Sequence, residues 1–254
     1  MTLTTRKLAA WPYPAVVAHR GGGVLAPENT LAAFRTGARL GQRMVEFDAK
    51  LSRDDVSFLL HDDSVERTSN GHGAAAALAY GELAQLDAGS WFAAQFTGEP
   101  MPTLAAVAQV CHDLALAVNV EIKPCPGREL ATGRQVAQDV LRHWRDVEPA
   151  PLLSSFSYVA LAAAREAAPA LPRGLLFDAL PTDWQAQAEA LECISIHVAH
   201  RQLTAAQVDA IRGAGFRLMA YTVNDLQRAR ELLGWGVDAI CTDRIDLIGP
   251  NLAA

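Results

Sequence analysis

The chain has 254 residues, half of them hydrophobic, and a formal net charge of −6. The hydrophobic share excludes global disorder, and an acidic chain without a long Lys/Arg run is a poor fit to a nucleic-acid partner. The length suits one α/β barrel better than a minimal domain or two domains.

Arg6 and Lys7 near the N-terminus are not followed by an uninterrupted apolar run, and Pro12 and Pro14 break the segment, so no export leader is read there. No stretch approaches the roughly 18 apolar residues of a membrane span. Cys111, Cys125, Cys193 and Cys241 form no C-x-x-C and have no histidine at zinc-ligand spacing, which reads as reduced thiols. A soluble, cytoplasmic protein without stable membrane insertion is expected; homo-oligomerisation is left open.

Apolar runs alternate with helical patterns along almost the whole chain. Strands are expected at 16–19, 44–49, 117–122, 151–154, 174–177, 193–197, 216–221 and 238–241. Helices are expected at 28–40, 103–114, 129–145, 158–167, 183–190, 204–213 and 224–234. Eight such strands, mostly followed by amphipathic helices, predict a closed TIM-type (β/α)8 barrel of the α/β class rather than an open sheet. The whole chain, 1–254, reads as one barrel domain. The segment 55–102 breaks the rhythm, with an extra strand at Val56–Leu60. It is too long for a βα loop and predicts a small insertion after the second strand, lying over the barrel mouth.

In such a barrel the working groups stand at the C-terminal strand ends, and polar residues collect there. His19 and Arg20 end the first strand, Glu46 and Asp48 the second, and Glu121 and Lys123 the third. Ser155 and Phe156 follow the fourth, His197 ends the sixth, Tyr221 and Asn224 the seventh, and Asp243 the eighth. In a strand, residues i and i+2 share a face, so Glu46 and Asp48 aim two carboxylates at one point. With Glu121 they make an all-oxygen set for one divalent cation: Mg²⁺ first, then Ca²⁺ or Mn²⁺, and not zinc. Arg20 offers a planar fork for phosphate oxygens and Lys123 a point charge. His19 and His61 are the candidate acid and base, in an order the sequence does not assign. His61 taken alone reads more readily as an ordinary loop histidine. His72, His112, His143 and His200 read as surface or helix residues, and His197 as either a rim contact or a barrel histidine satisfied internally, the second being preferred. Two cations, a metal ion and two histidines point to phosphoryl transfer, either to water or to a hydroxyl within the substrate.

His19-Arg20-Gly21 with Pro27-Glu28-Asn29-Thr30, Glu46-x-Asp48, His61-Asp62, Arg67-Thr68 with Asn70-Gly71, Asp87-Ala88-Gly89-Ser90-Trp91, Pro102-Thr103-Leu104, Glu121-Ile122-Lys123, Thr222-Val223-Asn224 and Thr242-Asp243 run in order along the chain. Together they resemble the glycerophosphodiester phosphodiesterase family. Trp11–Pro14 and Ile248–Asn251 are similar to its bacterial cytosolic members associated with glycerol-3-phosphate uptake. The resemblance implies hydrolysis of small-molecule glycerophosphodiesters to sn-glycerol 3-phosphate and an alcohol. It also implies one divalent cation on Glu46, Asp48 and Glu121, acid–base catalysis by His19 and His61, and phosphate binding by Arg20 and Lys123. Phe156 and Tyr221 are candidate substrate contacts; many members carry Trp where this chain has Tyr221, so an aromatic face is kept. A phosphoinositide-cleaving phospholipase C on the same barrel is disfavoured, since no apolar surface helix or basic interfacial patch is evident.

Overall fold

The computed structural model describes residues 7–252; Arg6 and the outermost residues of the expected 1–254 domain lie outside the described residues. The elements follow in chain order as β1 Val16–Ala18, α1 Leu31–Arg39, β2 Met44–Leu51, β3 Ser57–Leu59, α2 Tyr80–Leu83, α3 Leu104–Asp113, β4 Ala117–Ile122, α4 Glu129–His143, β5 Leu152–Ser155, α5 Tyr158–Ala167, β6 Arg173–Phe177, α6 Trp184–Ala190, β7 Ser195–Ala199, α7 Ala205–Gly213, β8 Arg217–Tyr221, α8 Leu226–Gly234 and β9 Ala239–Thr242. The parallel strands β1, β2 and β4–β9 close into a barrel, because β1 pairs with both β2 and β9. The TIM-type expectation holds, with β3 as an extra strand antiparallel to the end of β2.

Strand period two sorts the side chains into separate layers. Val45, Phe47, Val120, Leu153, Ile196, Leu218 and Ile240 belong to the large core cluster shared with the helices. Val17, Met44, Leu152, Met219, Ala239 and Cys241 belong to a second cluster, joined by Tyr13. Intervening residues of those same strands carry the polar groups. Glu46 and Asp48 alternate with Val45 and Phe47 along β2, and Asn119 and Glu121 with Val118 and Val120 along β4. Phe34 of α1 meets Phe47 edge-on at 5.4 Å between ring centroids, both fully buried. Such a pair contributes roughly 0.5–1.5 kcal/mol beyond the area it buries.

The insertion has a small core of Phe58, Leu60, Val65, Ala75, Leu83, Ala88 and Met101, joined by Cys125 from the loop after β4. Pairing of β3 with β2 and a bridge from Phe58 to Thr103 tie it to the barrel. It supplies a side wall of the mouth: Trp91 and Phe92 line a cavity of about 410 Å³ together with His19, Arg20, Glu28 and Asp243.

Two expectations need correction. The helix expected from residue 28 starts at Leu31, because Thr30 is its N-cap and accepts the Ala33 N–H at 3.2 Å. A cap residue has non-helical backbone, so Glu28 and Asn29 stay in the loop, where they can reach the site. His197 was expected at the end of its strand. It lies instead in the middle of β7, 1% exposed, with Nε2 3.0 Å from Ser195 Oγ. Burial pushes its pKa down to about 3, so it is a neutral histidine of the barrel interior.

Candidate active site

The C-terminal strand ends converge on one mouth. His19 and Arg20 leave β1, Glu46 and Asp48 stand on β2, Glu121 and Lys123 close β4, Phe156 follows β5, and Tyr221 ends β8. His61 enters just after β3. His19, Arg20, His61, Glu121, Lys123, Phe156 and Tyr221 line one cavity of about 500 Å³ with Asp178 and Thr222. That volume suits a small organic ligand.

Glu46, Asp48 and Glu121 each offer an oxygen within 4.8 Å of the others. Burial and the Asp48 charge push the Glu46 carboxyl up to about 8, and the same two causes push Glu121 up to about 7. Asp48 goes the other way despite its burial, held ionised chiefly by Arg20 and Lys123 and by the amide of Asn29. Glu46 Oε1 is buried without a hydrogen-bond partner. Three buried carboxylates that resist sharing a site, one with an orphaned oxygen, fit a hard divalent cation.

The cations surround this cluster. Arg20 donates its backbone N–H to Glu46 Oε2 at 3.0 Å, and its Nε lies 3.5 Å from Asp48 Oδ2. Lys123 Nζ donates to Glu121 Oε1 at 2.8 Å and lies 3.8 Å from Asp48 Oδ1. Arg20 and Asn29 both adopt left-handed backbone, at φ 50° and 59°. Non-glycine residues there carry roughly 1–3 kcal/mol of strain each. The strained geometry places the Arg20 N–H on Glu46 and lets Asn29 Nδ2 donate to Asp48 Oδ2 at 2.9 Å.

Each histidine meets a carboxylate through Nδ1. His19 Nδ1 lies 2.6 Å from Asp243 Oδ1, and Asp243 Oδ2 accepts the Asn224 amide at 2.8 Å. Asn224 Oδ1 in turn accepts the Asp243 N–H at 2.8 Å. Gly23 makes this approach feasible: at φ +53°, a Cβ there would meet the Asp243 carbonyl oxygen at 2.0 Å. Burial works against a charge on His19, but the Asp243 hydrogen bond and the Glu46 carboxylate outweigh it, so its pKa lies above the ordinary value. His61 Nδ1 lies 2.7 Å from Asp62 Oδ1. There burial prevails over the Asp48 charge, with Arg20 and Lys123 adding to it, and the pKa falls below the ordinary value.

Tyr221 and Phe156 meet edge-on at 5.8 Å, and Lys123 Nζ lies 5.3 Å from the centre of the Phe156 ring. Tyr221 donates its hydroxyl to the Phe177 carbonyl at 2.9 Å. These rings form an aromatic part of the cavity lining, next to Lys123.

A match to the model of the "Glycerophosphoryl diester phosphodiesterase family" spans residues 19–247, which holds all of these groups. The chain belongs to that family. A glycerophosphodiester phosphodiesterase of Caldanaerobacter subterraneus subsp. tengcongensis is 33% identical over 231 residues, covering 90% of this chain and 93% of that protein. A glycerophosphodiester phosphodiesterase of Bacillus subtilis is 29% identical over 249 residues, covering 91% and 84%. A phosphodiesterase of Oleispira antarctica, solved in complex with the product sn-glycerol-3-phosphate, superposes with a TM-score of 0.88 at 37% identity, covering 91% of this chain and 93% of that one. The chain is thus a glycerophosphodiester phosphodiesterase. Among the described residues, no helix is long and apolar enough to cross a membrane.

All nine residues singled out from the sequence reach this mouth of the phosphodiesterase: His19, Arg20, Glu46, Asp48, His61, Glu121, Lys123, Phe156 and Tyr221. Ser155, at the same rim, is buried and donates to the Ile122 carbonyl at 2.6 Å, so it braces β5 against β4. Sequence reasoning gave no role to Asp243, Asn224, Glu28, Asn29, Asp62 or Arg67, although each stands in a motif it noted. The missing information was pairing: Asp243 lies 224 residues from His19.

Proposed function

We propose that this site hydrolyses glycerophosphodiesters such as glycerophosphocholine and glycerophosphoethanolamine to sn-glycerol 3-phosphate and an alcohol. Glu46, Asp48 and Glu121 would hold one divalent cation, Mg²⁺ ahead of Ca²⁺ or Mn²⁺. The observation that carries the reading is this buried three-carboxylate cluster, with two of its members pushed toward the neutral form, set between two Asp-bound imidazoles.

When bound, such a cation supplies positive charge to phosphoryl oxygens and lowers the pKa of a coordinated water. Arg20 and Lys123 face the same cavity and bind the phosphate oxygens. Phe156 and Tyr221 pack against the carbon skeleton of the substrate. A carboxylate takes Nδ1 of both His19 and His61, which leaves Nε2 as the ring nitrogen for proton transfer; His19 Nε2 lies 3.9 Å from Glu46 Oε2. One imidazole accepts the proton of the attacking water as its oxygen bonds to phosphorus. The other gives a proton to the departing alkoxide as the P–O bond breaks, so charge and protons balance. We place the reaction in the cytoplasm, a reading supported by Cys111, Cys125 and Cys241, which are buried as free thiols.

The test is release of sn-glycerol 3-phosphate from glycerophosphocholine, with and without chelator, by wild type, His19→Ala and His61→Ala. Chelation should abolish turnover and Mg²⁺ should restore it. Each histidine variant should lose at least about 10²-fold. A rate unmoved by chelator and by both substitutions would overturn the reading.

A further inference from the structure

The geometry points to Arg67, on the insertion, as a positioning residue that sets the orientations of His61 and Arg20 together. This rests on the roles given above to those two residues. Arg67 Nε donates to Asp62 Oδ2 at 2.6 Å and one Nη to Asp62 Oδ1 at 3.0 Å. The Nη atoms donate to Glu28 Oε2 and Oε1, both at 2.8 Å. Four of the five guanidinium N–H groups are thereby committed to two carboxylates in two bidentate pairs.

Each carboxylate then passes the constraint inward. Asp62 Oδ1 also holds His61 Nδ1, and Glu28 Oε1 also accepts Arg20 Nη1 at 2.6 Å. One guanidinium thus joins the imidazole on one side of the mouth to the phosphate fork on the other. Arg67 is absent from the cavity lining, so it acts through these partners. Without it, Glu28 would keep only Arg20, and Asp62 only a histidine that burial keeps from charging readily.

The backbone that carries Arg67 is anchored. Val65 is fully buried in the core of the insertion and donates its N–H to the Gly73 carbonyl at 3.1 Å. Thr68 is buried, and Ser69 Oγ donates to the Val65 carbonyl at 2.6 Å. The guanidinium is itself half exposed, at 45%. An exposed ion pair adds little to stability, so its consequence lies in orientation.

The experiment is a pair of double-mutant cycles read as kcat and KM for glycerophosphocholine in Mg²⁺-loaded enzyme, with thermal midpoints as folding controls. Arg67→Ala should lower kcat about 10-fold, as loss of an orienting partner does, and raise KM by about 3- to 10-fold through Arg20. Arg67→Lys should recover little, because an ammonium cannot grip two carboxylates in bidentate fashion. In a His61→Ala background the kcat effect of Arg67→Ala should vanish while the KM effect persists. In an Arg20→Ala background the reverse should hold. A merely structural role would multiply in both backgrounds, and that result, or changes under about 2-fold in both constants, would overturn the proposal alone. A His61→Ala enzyme of wild-type rate would overturn the site reading along with it. Should Arg67→Ala fail to fold, Arg67→Gln carries the same cycles.

Discussion

His19 and His61 each meet an Asp through Nδ1, at 2.6 and 2.7 Å, but different regions of the molecule hold them. His19 is braced by the barrel itself: Asp243 follows β9, Asn224 follows β8, and Gly23 lets the β1 loop close upon them. His61 is braced by the insertion, through Asp62, Arg67 and Glu28, on a more exposed surface. The barrel positions groups by strand register, which the whole closed sheet maintains. The insertion positions them by ion pairs over a small core. The barrel side should therefore be stiff and insulated from water, and the insertion side easier to perturb without harming the fold.

The largest effect expected from this contrast concerns stability. Leu83 is fully buried in the core of the insertion, and Leu83→Ala should cost about 2–5 kcal/mol locally. Amide hydrogen exchange should quicken across residues 57–101 and leave β5–β8 protected. Equal acceleration everywhere would mean that insertion and barrel open as one unit.

Next come the two carboxylates. Asp243→Asn should reduce kcat by about 10²-fold and Asp62→Asn by about 10-fold, within the span known for orienting partners. The reason is dielectric: the His19–Asp243 pair is the more enclosed, and a charge–dipole contact strengthens as water is excluded. Steady-state kinetics on both variants check this, and equal losses would erase the distinction between the two sides.

The smallest expected effect isolates the barrel interior. His197 is neutral in the fold, with its pKa pushed down to about 3 by burial, whereas a histidine in the unfolded chain titrates near 6.5. Between those values the unfolded state binds one more proton, so stability falls as pH falls. From pH 7 to 5 the loss from this residue is about 2 kcal/mol. Urea unfolding of wild type and His197→Gln should differ by that slope, and parallel pH profiles would show that His197 titrates normally.

The carboxylate cluster was legible because β-strand alternation is a local rule: Glu46 with Asp48, and Glu121 with Lys123, face one side at i, i+2 spacing. The eight-strand rhythm was legible from apolar runs alternating with helical patterns, and the insertion from a segment too long for a βα loop. Element ends were less so. Thr30, a cap, moved the first helix start by three residues and freed Glu28 and Asn29 for the site. His197 stands two residues before the end of its strand rather than at it, because β7 begins two residues later than its apolar run.

The residues by themselves determined the barrel periodicity, the oxygen-rich ligand set, and the presence of two histidines and two cations near strand ends, because each is a property of neighbours along the chain. Only the folded molecule decided which histidine faces Asp243, which faces Asp62, and that Arg67 spans Asp62 and Glu28. The His19–Asp243 pairing depends on barrel closure, which brings β9 beside β1 across more than two hundred residues of intervening chain. Contacts of that separation follow from sheet register and loop path, and no short-range pattern encodes them.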